Sequence, residues 1–264
     1  MKILSIDQHQ SHYFNIHQII SKQQNTSFFH RVHESPKTNT FYRRKQNMPA
    51  KKTEEIVLKE IKVEHATIVI EGKGDLVLNK MNASNTRQLL ADDRKTQALW
   101  ESQHKNKWED IITSMHWRDG IPVENTNAEC TEELFYRMLA ENAPCITAFG
   151  LKKSWGQAVV RQEIDKFSTK FDSAVNIIAS GGLIPIKFAK WRLDERLMSP
   201  KRGAPVTTRL NHFVGWTAEI PVEFTTNVYS DTEIATIVNY AGFSLGIGSG
   251  RSSGYGRYHI VDIK

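Results

Sequence analysis

The strongest constraint on the fold is a strictly alternating segment in the C-terminal third of the chain. Between positions 216 and 224, apolar residues alternate with polar residues or proline, the apolar ones being Trp216, Ala218, Ile220, Val222 and Phe224. A period of two residues is typical of a β-strand that buries one face. Because proline cannot donate to a sheet ladder, Pro221 predicts that this strand lies at a sheet edge or carries a bulge.

A helix and a glycine-rich loop follow this strand. Ser230 and Glu233 have the spacing of a capping box. The next apolar residues fall on one helical face, at Ile234, Ile237, Val238 and Ala241. Gly242 then has the position of a glycine just beyond a helix end. Phe243, Leu245 and Ile247 alternate after it, and Tyr258 begins a final strand, so the predicted order is strand, helix, glycine loop, strand.

The earlier part of the chain adds one strand and several helices. Residues 60–71 are rich in β-branched and apolar residues and are followed by Gly72, which predicts a strand with Ala66, Ile68 and Ile70 on one face. Residues 87–115 and 148–162 have helical patterns, and Thr131 followed by two acids predicts another helix start. In the 148–162 helix the predicted apolar side comprises Phe149, Trp155, Val159 and Val160.

The glycine-rich loop has the residue types of a phosphate-binding element. Its glycines, which free the backbone for close approach to a phosphate, are Gly246, Gly248, Gly250, Gly254 and Gly256. Arg251 and Arg257 can pair with phosphates, while Tyr255 and Tyr258 can stack on bases. The alternative is that the glycines only form bulges and tight packing. No Walker or dinucleotide-binding pattern is present, which argues against nucleotide hydrolysis and NAD chemistry.

A helix ending in alanine-glycine, then GIGSG, then GYGRY resembles the C-terminal signature of the RAMP superfamily. The resemblance is specific over residues 213–261 and looser over 56–81. It points to the backbone-forming subunits of CRISPR effector complexes and their stand-alone phage-encoded relatives. It implies an α+β, ferredoxin-like (RRM-like) core with an antiparallel sheet, binding of single-stranded RNA or DNA along a basic groove, and side-by-side assembly of copies into a homo-oligomer.

The chain divides into an extension and one elaborated domain. Residues 1–52 are rich in Gln, His, Asn and Ser and end in basic residues, which predicts a flexible basic N-terminal extension. Met48 offers a second start site, so residues 1–47 are interpreted as an extension or a mis-assigned start. Residues 53–264 are predicted to form the RAMP-like domain, with a helical insertion at about 82–130 and a basic hairpin insertion at 187–212.

The predicted hairpin is the second candidate nucleic-acid contact. Its cations are Lys190, Arg192, Lys201, Arg202 and Arg209. The alternative is an ordinary solvated hairpin whose charges are partly balanced by Asp194 and Glu195. A net charge of +6 and a pI near 9.2 favour an acidic partner, of which nucleic acid is the commonest.

No catalytic residue, metal site or cofactor is predicted, and the chain is expected not to be an enzyme. Cys130 and Cys145 lack the spacing of a zinc site. An RNA-processing endoribonuclease using His65, His212 or Asp75 is the alternative, and a structural or host-interaction protein that no longer binds nucleic acid is the third hypothesis. The absence of a long apolar run predicts no membrane association and a cytoplasmic location, in a prokaryotic or phage-infected cell.

Overall fold

The computed structural model of the chain describes residues 60–198 and 206–264. The predicted extension at 1–52, the second start at Met48, and Lys201 and Arg202 of the hairpin lie outside the described residues. These two ranges contain eight α-helices and ten β-strands.

Most of the helices begin at a side chain that caps the free amides of the first turn. Asn82, Asp93, Asn106, Thr131 and Thr147 each accept a hydrogen bond from an amide two or three residues ahead, as capping residues do. The predicted capping box of Ser230 and Glu233 is complete. The helices are α1 Ala83–Leu90, α2 Arg94–Gln103, α3 Lys107–Thr113, α4 Thr126–Glu129, α5 Glu132–Glu141, α6 Ala148–Arg161, α7 Thr169–Ala174 and α8 Asp231–Ser244.

The strands form two antiparallel sheets. Their bounds are β1 Val63–Gly72, β2 Leu76–Leu78, β3 His116–Trp117, β4 Pro144–Thr147, β5 Val175–Ile177, β6 Leu183–Lys187, β7 Lys190–Met198, β8 Val206–Val214, β9 Thr217–Thr225 and β10 Tyr258–Ile263. The larger sheet has the order β10-β1-β9-β6-β4-β3, with β5 also paired to β9. The smaller sheet has the order β2-β8-β7. The predicted α+β class with antiparallel sheets is confirmed.

Helices α6 and α8 pack against each other and cover one face of the larger sheet. Ile68, Ile70, Ile220 and Val222 point into this core, as the period-two patterns of β1 and β9 predict. On the helices Trp155, Val159, Ile237 and Val238 are fully buried. Phe149 and Val160, which the helical pattern places on the same apolar side, are 76% and 41% exposed. That part of the prediction is wrong, because the core covers a narrower stripe of α6 than its apolar residues occupy.

The helical segment between β2 and β4 packs beside the smaller sheet. The side-chain amide of Asn211 on β8 donates to the Ile111 carbonyl and to Ser114 at the end of α3. Arg209 on β8 makes an ion pair of 2.6 Å with Asp110. Strands β7 and β8 form an antiparallel pair in register from Lys190–Val214 to Met198–Val206. The base of this pair is therefore fixed to the helices.

Helix α8 runs past the glycine that was predicted to end it. Gly242 lies inside the helix, and a Cβ atom there would overlap the Tyr258 carbonyl of β10. The glycine therefore lets β10 approach the helix closely. Phe243 belongs to the helix and is 76% exposed, so it begins no alternating strand.

Pro221 lies in an interior strand, which corrects the prediction of an edge or a bulge. Strand β9 pairs with β1 along its length and with β6 and β5 on its other side. Thr67 of β1 lies opposite Pro221 in β9. The amide and carbonyl of Thr67 both bond to Lys264, on the other side of β1, so Thr67 and Pro221 form a non-hydrogen-bonded pair. The proline nitrogen therefore faces away from β1. It faces the point where the partner changes from β6 to β5, and a missing N–H is tolerated there.

Candidate nucleic-acid interface

Two glycines of the predicted phosphate loop are structural. Gly246 and Gly256 are buried, and their amides donate to the Ala241 and Asp75 carbonyls. The Ile247 amide in turn donates to the Gly256 carbonyl. These amides are occupied within the fold, so at these two positions the packing alternative is correct. Gly248 is exposed, but a Cβ there would crowd the Val77 carbonyl of β2.

The tip of the loop is open to solvent. Gly250, Arg251 and Gly254 are exposed, and Arg251–Ser253 form one 3₁₀ turn. The two glycines flank this turn with φ of 68° and 86°, which non-glycine residues rarely adopt. Arg257 is half-buried and donates to the Arg251 carbonyl at 3.4 Å, so it supports the tip from behind. Arg251 is thus the loop arginine presented to solvent.

The two loop tyrosines differ. Tyr258 is 1% exposed, its hydroxyl accepts a hydrogen bond of 2.9 Å from Trp155 Nε1, and burial raises its pKa. It cannot stack on a base, so that prediction is wrong. Tyr255 is half-buried, packs edge-on against His212 with ring centroids 5.0 Å apart, and lies 3.3 Å from Arg196.

The arginines predicted to grip a strand from the hairpin are largely paired with carboxylates. Arg192 contacts Asp75 at 2.6 Å, and Arg209 contacts both Asp110 and Glu195. Glu195 supplies part of the negative charge, as the solvated-hairpin alternative predicts. The other two carboxylates, Asp75 and Asp110, lie outside the hairpin. Lys190 is exposed at the start of β7. A nucleic-acid contact by the hairpin stays a prediction.

Asp75 and His212, named in the endoribonuclease alternative, lie together. Asp75 Oδ2 is 3.1 Å from His212 Nδ1, and Asp194 lies 3.6 Å from Nε2. Burial works to raise the pKa of Asp75, but hydrogen bonds from Arg192 and His212 hold it below its usual value. His212 is fully buried, so it reaches no substrate in this conformation. His65 is exposed on β1 and is not part of this cluster.

A groove that sequence reasoning missed lies beside the loop tip. We call it the central groove. It has a volume of about 280 Å³ and is lined by the end of β2, by β3, by the first turns of α6 and by the loop. The described lining residues of this groove include no Asp or Glu. Four of them are basic, namely Lys80, His116, Lys153 and Arg251.

The charges in the central groove lack negative partners there. Loss of solvent around its amine lowers the pKa of Lys80. Burial, and then the charge of Lys80, lower the pKa of His116. The N-terminus of α6, capped by Thr147, adds its positive dipole end to the same wall. An anion in this groove would relieve the crowding of like charges.

Two further grooves adjoin the central groove. Lys153 also lines a groove of about 610 Å³ along α6, which we call the α6 groove. Lys80 also lines a groove of about 620 Å³ that includes Arg94, Asp110 and Arg209. The central groove thus shares Lys153 with one neighbouring groove and Lys80 with the other, and we call the three grooves together the basic trough.

The open face of the larger sheet has a different character. On β1 and β9 the residues turned away from the helices include Glu71, Glu219 and Glu223, and none of them is Phe, Tyr or Trp. RRM sheets that bind RNA carry stacking aromatic residues on this face. The trough is therefore a better candidate interface than the sheet.

The described part of the chain contains no group of three or more His, Cys, Asp or Glu residues placed to hold a metal ion. Among the same residues, no helix is both long and apolar enough to cross a bilayer.

No family model matches the chain, and no curated protein matches it significantly. Among solved structures it is similar to a chain of the type III-B Cmr-beta bound to cognate target RNA, with 12% identity and a TM-score of 0.39. That match covers 77% of this chain and 60% of the other, so this chain spans well under two thirds of its length. It is also similar to Cmr6 from Pyrococcus furiosus, with 13% identity, a TM-score of 0.25, and 76% and 100% coverage.

Both similar structures are Cmr proteins, in line with the resemblance that the C-terminal segment indicated. Both TM-scores are below 0.5, so the function proposed below depends on this chain's own residues.

Proposed function

We propose that this protein binds single-stranded nucleic acid along its basic trough and has no catalytic activity of its own. The observation that carries the proposal is the convergence of Lys80, Lys153 and Arg251 on a groove whose described lining residues include no carboxylate. Phosphate contacts supply most of the affinity of nonspecific nucleic-acid binding. The groove, of about 280 Å³, brings these cations to one stretch of a sugar-phosphate backbone.

The core that positions the trough is proposed to be ferredoxin-like. In support, the strands β10-β1-β9-β6 have α6 between β1 and β6, and α8 between β9 and β10. This is the βαββαβ order of that fold. The domain at 53–264 would then carry its helical insertion at about 82–130 and its hairpin at 187–212. Assembly of copies side by side along the strand belongs to the same proposal.

Removing the three groove cations tests the binding site. The variant Lys80→Ala/Lys153→Ala/Arg251→Ala is expected to bind a labelled single-stranded 20-mer roughly ten- to a hundredfold more weakly. The slope of log affinity against log salt should become shallower by about 2, because each lost single-strand phosphate contact removes about 0.7. Fluorescence anisotropy with oligo-U and oligo-dT, at several salt concentrations, measures both quantities.

The matched control is Lys62→Ala/Lys187→Ala/Lys264→Ala, which removes the same net charge away from the trough. Lys187 and Lys264 both contact Glu219. Equal losses in the two variants would mean that net charge alone drives binding, and would overturn the proposed site. If the native protein binds neither oligonucleotide, the hypothesis of a structural or host-interaction protein replaces ours.

A cleavage assay separates binding from the endoribonuclease alternative. The same labelled strands are incubated with and without divalent metal and run on a denaturing gel. We expect intact strands in every lane. A product that appears with the native protein and is lost in Asp75→Ala would establish the nuclease alternative, because Asp75 lies next to His212.

Binding is expected to tighten as the pH falls, because of His116. Its pKa is lowered, so it is neutral at neutral pH and takes up a proton only below its usual range. Lys80, Lys153 and Arg251 line the groove with it and oppose that proton, whereas a bound phosphate favours it. A further charge next to a phosphate should strengthen binding by about fivefold at acid pH. Anisotropy titrations across this pH range measure the change.

His116→Gln should abolish the gain in nucleic-acid affinity at acid pH. The control His65→Gln, on the open sheet face, should keep it. An unchanged pH profile in His116→Gln would show that another group is responsible.

A further inference from the structure

Phe149 is an apolar side chain in an unexpected environment. It is 76% exposed in the first turn of α6, where the sequence pattern predicts a buried residue. The Lys153 amine lies 5.9 Å from the centroid of its ring. A large exposed ring next to a cation is a combination found where proteins hold single-stranded nucleic acid.

The ring stands at one end of the α6 groove. The groove follows one stripe of the helix, with Lys152, Lys153 and Arg161 as its cations. Among the lining residues that the structure describes, Asp172 is the only carboxylate, and it accepts a hydrogen bond of 2.8 Å from Ser168. The stripe therefore has a net positive charge and an aromatic face.

Gly156 gives this groove its depth. A Cβ atom at Gly156 would lie 3.1 Å from Ser168 Cβ and 3.2 Å from Asp172 Oδ1. The glycine lets the start of α7 pack close to α6, which forms the second wall of the groove.

From these features we infer that Phe149 is a base-stacking platform, and that the α6 groove binds the stretch of single strand that leaves the central groove at Lys153. The inference rests on the proposed function and adds a subsite to it. Lys153 lines both grooves, so one strand can pass from one to the other. Phe149 would hold a base, while Lys152 and Arg161 would contact the phosphates on either side of it.

The test compares two probes that carry the same phosphates. One is a labelled oligo-dT 12-mer and the other is a 12-mer of abasic sites. Phe149→Ala should weaken binding of oligo-dT by roughly five- to a hundredfold and leave binding of the abasic strand unchanged, because only bases can stack. Phe149→Trp should retain the affinity for oligo-dT and show quenching of its fluorescence on binding.

Phe243→Ala is the matched control, since Phe243 on α8 is also 76% exposed. It should change neither the affinity for oligo-dT nor the affinity for the abasic strand. Equal weakening on both probes by Phe149→Ala would overturn the stacking role. If Phe149→Ala has no effect while the triple groove variant does, the stacking inference fails and the proposed function stands. If native protein binds neither probe, both fail.

A protein partner on the same helix face is distinguished by sedimentation. If Phe149→Ala dissociates an oligomer without changing the affinity for oligo-dT, the face is a contact between copies, and the stacking inference is wrong.

Discussion

Replacing Arg87 by methionine is expected to lower the free energy of unfolding by about 3–5 kcal/mol, because it leaves two buried carboxylates without their cation. Arg87 on α1 makes two hydrogen bonds to Glu101 of α2 and two to Glu109 of α3, at 2.7 to 3.0 Å. Glu101 is 4% exposed and Glu109 is 1% exposed. Methionine retains most of the volume and removes the charge. Urea denaturation, followed by circular dichroism, measures the change.

The loss of stability caused by Arg87→Met should depend on pH. Burial works to raise the pKa of Glu109, but hydrogen bonds from Arg87, Thr126 and Asn127 hold it below its usual value. Because the pKa in the folded state is depressed, this carboxylate stabilises the native protein above the usual glutamate pKa of about 4.3, and the contribution is lost as the pH falls. In Arg87→Met the same burial favours the protonated acid. The two proteins should therefore differ most at neutral pH, and the difference should shrink as the pH falls below about 4.3 towards the depressed pKa of the native protein.

An exposed ion pair provides the control. Arg118 and Asp119 contact each other at 2.8 Å with both side chains about half exposed, and Arg118→Met should not measurably change stability. In the Arg87→Met background, Glu101→Gln/Glu109→Gln should recover part of the loss by removing the buried charges. A loss that is the same at neutral and acid pH would contradict the proposed origin of the effect.

Gly256→Ala is expected to lower the free energy of unfolding by about 2–5 kcal/mol, from backbone strain together with overpacking. Gly256 has φ of 68°, and a Cβ atom there would overlap the Ile247 carbonyl. The residue is held on both sides, since its amide donates to Asp75 and its carbonyl accepts from Ile247. Neither backbone segment can move without breaking the base of the loop. Urea midpoints give the stability change.

Gly254→Ala is the matched control for this substitution. Gly254 has φ of 86°, but nothing lies within 4 Å of a Cβ atom there. It should lose only the cost of the left-handed conformation, about 1–2 kcal/mol. Equal losses in the two variants would show that the close contact with Ile247 is relieved by a small shift of the loop.

Local sequence patterns correctly predicted those elements that depend only on residues a few positions apart. Strand β9 alternates because one face of it is buried, and its pattern is visible without knowing what covers it. The capping box of Ser230 and Glu233 satisfies amides of its own helix, so it could be predicted from two residues three positions apart. The specific glycine segment also indicated the RAMP resemblance.

Other local patterns failed where a distant element decided the outcome. Gly242 was predicted to end α8, but the approach of Tyr258 requires a glycine inside the helix. Phe149 fitted the apolar stripe of α6, but its side chain is left exposed by the part of the chain that the structure describes. Pro221 was assigned to an edge because the change of partner from β6 to β5 is not visible in sequence.

The candidate site was predicted only in part. Arg251 was identified from the sequence, since it lies within the glycine segment. Lys80, His116 and Lys153 join it from three other elements, and no spacing of residues relates them. Arg192 and Arg209 were predicted as nucleic-acid contacts, and their ion pairs with Asp75 and Asp110, which are far away in sequence, could not be predicted.

The sequence by itself determined the period of the strands and helices, the capping residues and the basic, glycine-rich character of the C-terminal loop, because these depend on neighbours within a few positions. Only the tertiary structure decided which cations face a common groove and which are paired with acids. Charge pairing depends on distances in space, and folding brings Lys80 and Arg251, about 170 positions apart, to the same groove.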